Sequence, residues 1–494
     1  MQRKIIIAIA TACLTLAITG CKPEHWPTYG RDLKNTRSNP IETVISPQSV
    51  TNLRPLWATH PNASGVTSTP VIPDDYLVYY GNWDGDVEAR FIETGELLWR
   101  TRLSALPVSA SIAASPMLIH FDTNHDGTIN NGERILPLFA ADGDGFLHAL
   151  NRLTGEIKWS TKLDPHPDTN IFGSPVLWNG HLFIGVSSTE VGMDKEDYTF
   201  AGSVASFDPA TGAEQWRFYT NRFLDGTEAG AGVSVWSSPA IDRERELLFI
   251  GTGNSYEQPA GPISDSLLAL NANTGEYVWH RQFTVDDVFT IPRGGGPDAD
   301  IGASPILYAI GEQDVVMAAD KAGRVAVFNR ETGSMVWTID ALQMTGSDVS
   351  GSHLGGIMAS PAYANGTLFV VSNFWGADLD LELPIDPANT SAMFGIDAAT
   401  GAVLWETVLG APSFGAVSHA NGVVFVGTLD GKIHALDAVS GAKIWSDQPA
   451  RGIPKPIGGG SAISNGRLFT GFGFSFFNEA VIPPGGLKVY ALRE

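Results

Sequence analysis

The stretch Leu270-Asn271-Ala272-Asn273-Thr274-Gly275-Glu276-Tyr277-Val278-Trp279 carries the pattern on which the rest of the chain is built. A short apolar strand ends at an Asn or Asp, a Thr-Gly turn reverses the chain, and a second strand closes on Trp. Glycine supplies the positive φ that a tight turn needs, and the Asx side chain can bond backbone N–H groups two residues on. The same pattern ends at six further tryptophans, which are Trp99, Trp159, Trp216, Trp337, Trp405 and Trp445. Their uneven spacing indicates one structural unit with loop insertions.

Each unit also opens in the same way, with a Ser-Pro or Ser-Thr-Pro step before an apolar strand. These steps begin at Ser68, Ser115, Ser174, Ser238, Ser304 and Ser360. Four strands in a unit of roughly 40 residues is typical of a β-propeller blade. Seven units are complete, and the two ends supply an eighth, since 53–57 has a Trp strand without its Thr-Gly partner and 487–492 has the partner strand. Pairing the two would close the ring and hide both edges.

The sequence therefore predicts an all-β fold, an eight-bladed β-propeller over residues 51–494. A β-solenoid or several β-sandwiches are the alternatives. A propeller of this length is feasible because each blade packs only on its neighbours.

The first 20 residues are typical of a targeting segment. Arg3 and Lys4 precede an apolar run over 5–18, which is too short to span a membrane comfortably, and Cys21 follows. This resembles a bacterial lipoprotein signal, which implies removal of residues 1–20, acylation of Cys21 and an anchor in the outer membrane facing the periplasm. An ordinary cleaved secretory signal is the alternative. Residues 21–50 are then interpreted as an N-terminal arm.

Cysteine usage and charge exclude several functions. The two cysteines are Cys13 and Cys21, so the folded body has no disulfide and no C-x-x-C-H haem attachment. Loss of Arg3 and Lys4 with the signal moves the net charge from −22 to −24. Such a surface repels phosphate backbones, so nucleic acid is not an expected partner.

An insertion in the second blade, 122–133, matches the pattern D-x-N-x-D-G-x-x-x-x-x-E of an EF-hand calcium loop. Oxygen ligands at alternate positions converge where Gly allows a sharp turn, and a bidentate Glu completes the cage. The predicted ligands are Asp122, Asn124, Asp126, Thr128, Asn130 and Glu133. Because the flanking segments read as strands, we expect a structural calcium loop inserted in a β-hairpin. An acidic surface turn is the alternative.

Polar and aromatic residues gather at strand ends and blade openings in the third to fifth blades. They are Ser188, Thr189, Glu190, Trp236, Asn254, Asp298, Asp300 and Lys321. Blade openings and adjacent strand ends lie near the central channel of a propeller, so these side chains can converge there. Taken singly, each has an ordinary structural explanation, such as a Trp packed between blades or an Asn in a turn.

The repeats and this set of residues resemble the eight-bladed pyrroloquinoline quinone (PQQ) dehydrogenases, most closely the polyvinyl-alcohol-dehydrogenase-like branch, over nearly the whole mature chain. The resemblance implies that Glu190 and Asn254 are calcium ligands, in a small-small-x-Glu-x-Gly and a Gly-Thr-Gly-Asn segment. It implies that Trp236 stacks on the quinone and that Lys321 bonds the quinone oxygens. Ser188 and Thr189 are assigned to cofactor binding.

The family also has an Asp near the opening of the fifth blade, which is both calcium ligand and general base. The resemblance implies this role for Asp300, while Asp298, Asp286 and Asp287 stay as alternatives. Calcium needs hard oxygen ligands, a carboxylate can take the alcohol proton, and a cation can stabilise negative charge on the quinone.

The chain also departs from the family. The adjacent cysteine pair that many members place over the quinone is absent, Thr67 stands where many have a quinone-binding Glu, and Phe172 replaces a Thr. Ile357-Met358 replaces an Asn-Trp or His-Trp pair, and a cytochrome domain after the propeller is not expected.

Three functions are therefore compared. The first is a PQQ- and calcium-dependent dehydrogenase of a small or polymeric alcohol, which passes electrons to a separate acceptor. The second is a non-catalytic scaffold lipoprotein of the outer-membrane assembly type. The third is a propeller that binds a carbohydrate or polymer.

Overall fold

The computed structural model describes residues 25–60, 63–104, 117–118, 137–342, 344, 354–375, 386, 388–450, 455–473 and 484–492. Cys21 and the predicted calcium loop 122–133 lie outside the described residues. The lipoprotein signal and the EF-hand-like loop therefore stay predictions.

Eight antiparallel sheets succeed one another along the chain and form the blades. From the inner strand outwards, blade 1 comprises Leu77–Gly81, Asp86–Phe91 and Leu97–Arg102, and blade 2 comprises Met117–Leu118, Pro137–Ala141, Phe146–Asn151 and Ile157–Lys162. Blade 3 comprises Val176–Trp178, His181–Ser188, Ser203–Phe207 and Glu214–Tyr219. Blade 4 comprises Ala240–Asp242, Leu247–Gly251, Ser266–Asn271 and Tyr277–Gln282. Blade 5 comprises Ile306–Ile310, Gln313–Ala319, Val325–Asn329 and Met335–Ile339. Blade 6 comprises Ala362–Ala364, Thr367–Phe374, Thr390–Asp397 and Val403–Val408. Blade 7 comprises Ser418–Ala420, Val423–Gly427, Ile433–Asp437 and Lys443–Asp447. The predicted eight-bladed β-propeller is confirmed.

The eighth blade joins the two ends of the chain. Its strands Ala462–Ser464, Arg467–Phe472 and Pro484–Leu492 come from the C-terminal part, and its outer strand is Leu53–Ala58. The outer strand pairs antiparallel with Pro484–Leu492. The ring is thus closed by main-chain hydrogen bonds between strands more than 400 residues apart in sequence, as the sequence predicted.

The repeat tryptophans join each blade to the next. The indole of Trp216 donates to the carbonyl oxygen of Ala272 at 3.2 Å, and the indole of Trp279 donates to Arg330 at 3.0 Å. A Cβ atom on Gly275, in the turn of the next blade, would overlap the Trp216 ring. This glycine is therefore required twice, once for its φ of +74° and once because the indole lies on it.

The Ser-Pro serines form a chain of hydrogen bonds around the channel. The hydroxyl of Ser238 accepts the backbone N–H of Ser174 at 2.9 Å, and Ser304 accepts that of Ser238 at 3.0 Å. Ser360 continues the series by accepting the N–H of Ser304 at 3.0 Å. In blades 3, 4 and 5 these serines satisfy the first N–H of the innermost segment, which explains why these blade openings share this residue.

The N-terminal arm runs across the innermost strands at the end of the channel opposite to residues 234–237 and 300–302. Carbonyl oxygens of the arm accept one backbone N–H from each of blades 4 to 7. The donor and acceptor residues are Ile241 and Leu33, Leu307 and Lys34, Tyr363 and Thr36, and His419 and Arg37. Ser38–Asn39 then pairs parallel with Ser418–Ala420. The arm therefore ties the inner strands of successive blades together.

The other elements are short. The described residues contain 3-10 helices at Val50–Asn52 and Glu190–Gly192, and two-residue strands at Ala63–Ser64, Thr169–Asn170, Phe289–Thr290 and Gly294–Gly295. In this part of the chain no helix has the length and apolar character needed to cross a membrane.

Candidate active site

The candidate residues lie on loops at one end of the channel. Glu190, Asn254 and Lys321 follow the second strands of blades 3, 4 and 5, while Trp236 and Asp300 precede the innermost strands of blades 4 and 5. All except Trp236 are buried, and Trp236 is half-buried. The propeller topology brings these loops together because each second-strand end lies beside the opening of the following blade.

Asn254, Asp300 and Lys321 form a connected group. The backbone N–H of Asn254 donates to Asp300 Oδ1 at 2.7 Å, and its side-chain amide donates to the carbonyl oxygen of Phe289 at 2.8 Å. The ammonium of Lys321 lies 3.6 Å from Asp300 Oδ2 and 2.6 Å from Asp298 Oδ2. Three of the predicted site residues, together with one of the alternatives for the base, therefore meet at one place.

The other two alternatives for the base have different positions. Asp286 is exposed to solvent. Asp287 is fully buried, and its carboxylate accepts the backbone N–H groups of Ala299 at 2.8 Å and of Asp298 at 3.4 Å. Asp287 thus holds the loop that presents Asp298 and Asp300, the two acids that contact Lys321.

Burial shapes the titration of this acidic group. It raises the pKa of Asp298 to about 7, against the opposing effect of Lys321, and Asp300 raises it further. Burial opposes the charged form of Lys321, but Asp298 and Asp300 outweigh it and raise the pKa of the ammonium. In the absence of another cation, the cluster therefore tends to retain protons at neutral pH.

Asp265 adds a further acidic side chain that the sequence did not single out. It is fully buried, and neither of its carboxylate oxygens has a hydrogen-bond partner among the described residues. Burial, with the charges of Asp300 and Asp287, holds the pKa of Asp265 well above its usual range. Its signal in the sequence is weak, since Ser264-Asp265-Ser266 reads as an ordinary turn before a strand.

Trp236 lies against the opening of blade 5. A Cβ atom on Gly302 would overlap the far end of the Trp236 indole. A glycine at this position therefore lets the ring lie directly against the backbone beside Asp300. The half-buried indole provides an aromatic surface next to the acidic group.

Glu190 belongs to a second group on the blade 3 side. Its carboxylate accepts from Lys195 Nζ at 2.9 Å, from Thr199 N at 3.2 Å and from Phe200 N at 2.9 Å. His166, Asp168 and Glu190 each place a ligand atom within 4.8 Å of the others, an arrangement that can hold a metal ion. His166, Asp168 and Lys195 carry no recognisable signal because the segment 166–168 meets the segment 190–195 only in the folded chain.

Ser188 and Thr189 support the Glu190 loop. The Ser188 hydroxyl accepts the backbone N–H of Glu190 at 3.3 Å, and Thr189 donates its backbone N–H to the Asp168 carbonyl oxygen at 3.0 Å. Their assignment to cofactor binding stays a prediction.

Tyr256 connects the two groups. Its hydroxyl lies 2.6 Å from Ser234 Oγ and 3.4 Å from Ser188 Oγ. Burial raises the pKa of Tyr256, and the charges of Asp300 and Glu190 raise it further. The phenol is therefore neutral, and it lies between the acidic cluster and the Glu190 group.

The fold is that of the β-propellers of quinone-dependent dehydrogenases, and the comparison with protein families assigns the chain to that class. The family model described as glucose/ethanol/alcohol dehydrogenase, beta-propeller domain (PQQ), matches residues 26–357. The chain belongs to this family. A second model, described as outer membrane protein assembly factor BamB, matches residues 321–493.

Individual relatives agree with this assignment. A polyvinylalcohol dehydrogenase of Pseudomonas sp. is 25% identical over 476 residues, covering 91% of this chain and 71% of the relative. The quinoprotein alcohol dehydrogenase PedH of Pseudomonas putida is 26% identical, and the match covers 87% of this chain and 83% of the relative. The solved quinohemoprotein alcohol dehydrogenase ADHIIG of Pseudomonas putida HK5 superposes with a TM-score of 0.75 at 21% identity, covering 95% of this chain and 80% of that one. The predicted family, a PQQ-dependent alcohol-dehydrogenase-like oxidoreductase, is confirmed.

Proposed function

We propose that this chain is a lipid-anchored quinoprotein dehydrogenase that oxidises an alcohol with PQQ and calcium and passes the electrons to a separate acceptor. One observation carries the proposal: Asp298 and Asp300 meet Lys321 and Asn254 beside the Trp236 indole at one end of the channel. In a chain of this family, that set supplies the groups that alcohol oxidation requires.

The acidic cluster fits a calcium ion. Asp265, Asp287, Asp298 and Asp300 are buried and repel one another, and the cation that contacts Asp298 and Asp300 is Lys321. A divalent cation with hard oxygen ligands would offset the remaining charge. Asn254 and Asp300 would hold it from the blade 4 and 5 loops, and Glu190 from blade 3.

The same end of the channel fits a flat quinone. Trp236 offers an aromatic face for stacking, and the Lys321 ammonium offers a charge-assisted donor. When bound, PQQ supplies the two-electron acceptor that takes up the hydride of the alcohol. Asp300, or Asp298 beside it, takes the hydroxyl proton, and Lys321 stabilises the negative charge that develops.

The substrate is proposed as an alcohol, either small or polymeric. The relatives named as polyvinylalcohol dehydrogenase and quinoprotein alcohol dehydrogenase support both sizes. The test is dye-linked oxidation by protein titrated with PQQ and Ca²⁺, across primary, secondary and polymeric alcohols. Quinone binding seen by absorbance, with turnover of at least one class, supports the proposal. Folded protein that neither binds the quinone nor turns over an alcohol would reject it.

The match of residues 321–493 to the model of an outer-membrane assembly factor favours a second candidate, a scaffold lipoprotein. A scaffold has no requirement for a buried acidic cluster, so variants such as Lys321→Ala would leave its function unchanged. Failure of the quinone titration would therefore favour this candidate.

The proposed anchor gives a test of localisation. Cys21→Ala is expected to move the protein from the membrane fraction to the soluble periplasmic fraction, because a diacylated cysteine is what holds a lipoprotein in the bilayer. Cell fractionation with immunodetection measures this. Identical fractionation of Cys21→Ala and the wild type would refute the anchor.

Proton binding by the acidic cluster predicts how stability depends on pH. The pKa of Asp298 is about 7 in the folded chain and near 3.8 when unfolded. Between these values the unfolded chain has lost a proton that the folded chain keeps, so stability falls as pH rises from about 4 to about 7 and stays low above. Asp320, whose pKa burial also raises to about 7, acts in the same direction.

Metal-free protein is therefore expected to melt at a higher temperature at pH 5.5 than at pH 8, by a few degrees. Calcium should raise the melting temperature more at pH 8, because it replaces the protons as the counter-charge. Asp298→Asn should reduce the pH difference, whereas Asp286→Asn at an exposed position should preserve it. Scanning calorimetry in chelator and in Ca²⁺ measures both effects, and equal pH differences in the two variants would contradict the assignment.

A further inference from the structure

The carboxylate of Glu190 is fully buried and is held by three donors in this structure. Its Oε1 accepts from Lys195 Nζ at 2.9 Å and Thr199 N at 3.2 Å, and Oε2 accepts from Phe200 N at 2.9 Å. Thr199 N also lies 3.3 Å from Oε2, and His166 Nε2 lies 3.6 Å from Oε1. The ion-pairing position beside Oε1 is therefore occupied by the ammonium of Lys195.

Lys195 reaches this position from the surface. Its side chain is 28% exposed, and the neighbouring residues Asp194, Glu196 and Asp197 are exposed. The ammonium also pairs with Asp168, which is itself 17% exposed. The Lys195 ammonium thus lies between the buried carboxylate of Glu190 and the half-buried carboxylate of Asp168.

We propose that Lys195 is a built-in counter-ion that holds Glu190 in the metal-free protein and that calcium must displace. The inference rests on the proposed role of Glu190 as a calcium ligand. A calcium ion held by Oε1 would lie about 2.3–2.6 Å from it, on the oxygen that the ammonium now contacts at 2.9 Å, and two cations sharing one oxygen would repel each other strongly. Asp168 gives Lys195 a second partner, so it can leave Glu190 without losing all of its ion pairing.

This arrangement has two consequences. Without calcium, Lys195 keeps a buried carboxylate paired, and a buried charge left without its partner would destabilise the fold. With calcium, breaking the Lys195 contact opposes metal binding, so the lysine lowers calcium affinity. A residue that only orients Glu190 for the metal would have the opposite effect on affinity.

The test is a calorimetric Ca²⁺ titration of the full chain without quinone. Lys195→Met is expected to bind calcium roughly tenfold more tightly than wild type, the equivalent of one charge-assisted hydrogen bond. Lys158→Met is the matched control, since Lys158 is a partly exposed lysine paired with Glu156 on the outer strand of blade 2. Glu190→Gln identifies the heat that belongs to the channel site rather than to another calcium site.

A second readout is thermal melting. Lys195→Met should lower the melting temperature in chelator by several degrees and leave it unchanged or higher in saturating calcium. Lys195→Gln, which keeps a neutral donor, gives an intermediate result and serves if Lys195→Met does not fold. The inference is overturned if both Lys195 variants bind calcium no more tightly than Lys158→Met. It is also overturned if Glu190→Gln removes none of the heat of calcium binding.

The outcome is separable from that of the proposed function. Tighter calcium binding by Lys195→Met in protein that binds no PQQ would support the counter-ion role and reject the dehydrogenase. Normal turnover with PQQ, together with a calcium affinity that Lys195→Met leaves unchanged, would support the dehydrogenase and reject the counter-ion role.

Discussion

Asp300→Asn is expected to lower the turnover of the PQQ- and calcium-loaded protein by roughly 10²–10⁴-fold, the usual contribution of a general base. Asn keeps the shape of the side chain and can still accept the Asn254 N–H that now bonds Oδ1 at 2.7 Å. It cannot take a proton from an alcohol. The fold should therefore persist while the chemical step is lost.

The same experiment on Asp298 separates the two buried candidates. Asp298→Asn removes the carboxylate that pairs with Lys321 at 2.6 Å, so we expect it to alter quinone affinity as well as turnover. The base is identified by the acidic limb of the pH profile of kcat/KM, which the variant that lacks it should lose. We expect this limb to disappear in Asp300→Asn and to persist, displaced, in Asp298→Asn.

Asp286→Asn is the matched control because Asp286 is exposed and lies on the same segment as Asp287. Its turnover should equal that of wild type. Stopped-flow or dye-linked rates, together with PQQ affinity from absorbance, give the required constants. Retention of both full turnover and the acidic limb in Asp300→Asn would assign the base to Asp298.

The repeat framework could be predicted from the sequence because its chemistry is local and repeated. The Thr-Gly turn and the Trp define each unit, and the contact of the Trp of one unit with the turn glycine of the next, such as Trp216 with Gly275, joins the blades. The Ser-Pro steps were recognised as openings, but the hydrogen bonds between serines of successive blades need the closed ring. The ring closure itself followed from the incomplete patterns at the two ends.

The candidate site could be predicted only in part. Asn254, Asp300 and Lys321 were grouped by the resemblance, and they are in contact. Asp286 and Asp287 are adjacent in sequence, yet one is exposed and the other buried, because an irregular loop gives no periodicity from which burial can be read. Lys195 and Asp265 were missed because Asp168 and the acids Asp287 and Asp300, which give them their roles, come from other segments of the chain.

Arg37→Met is expected to lower the free energy of unfolding by about 3–5 kcal/mol, because it removes a fully buried cation from a network of acceptors. The guanidinium donates to the carbonyl oxygens of Tyr29, Val417 and Ser461 and to the hydroxyl of Ser418. It also lies 4.6 Å from the centroid of the Tyr29 ring. Burial lowers the pKa of Arg37 to about 10, so the group stays charged at neutral pH.

The expected loss has a clear physical origin. The carbonyl oxygen of Val417 would lose its donor in the interior, which costs about 1–3 kcal/mol, while those of Tyr29 and Ser461 would keep Trp26 Nε1 and Ser418 Oγ as donors but lose a charge-assisted bond. Arg37→Lys should rescue little of the loss, since one ammonium cannot span the acceptors that the planar guanidinium reaches. The arm would then be held against blades 7 and 8 by fewer contacts, chiefly the pairing of Ser38–Asn39 with Ser418–Ala420, although the candidate site residues at the opposite end keep their contacts.

Urea denaturation followed by tryptophan fluorescence measures this loss, with Arg54→Met as the matched control. Arg54 is exposed and donates to the carbonyl oxygens of Thr51 and Leu53, so its replacement removes the same charge with a change of about 0.5 kcal/mol or less. Arg37→Met should unfold at a clearly lower urea concentration than Arg54→Met. Coincident midpoints for the two variants would show that the arm lies on the propeller without stabilising it.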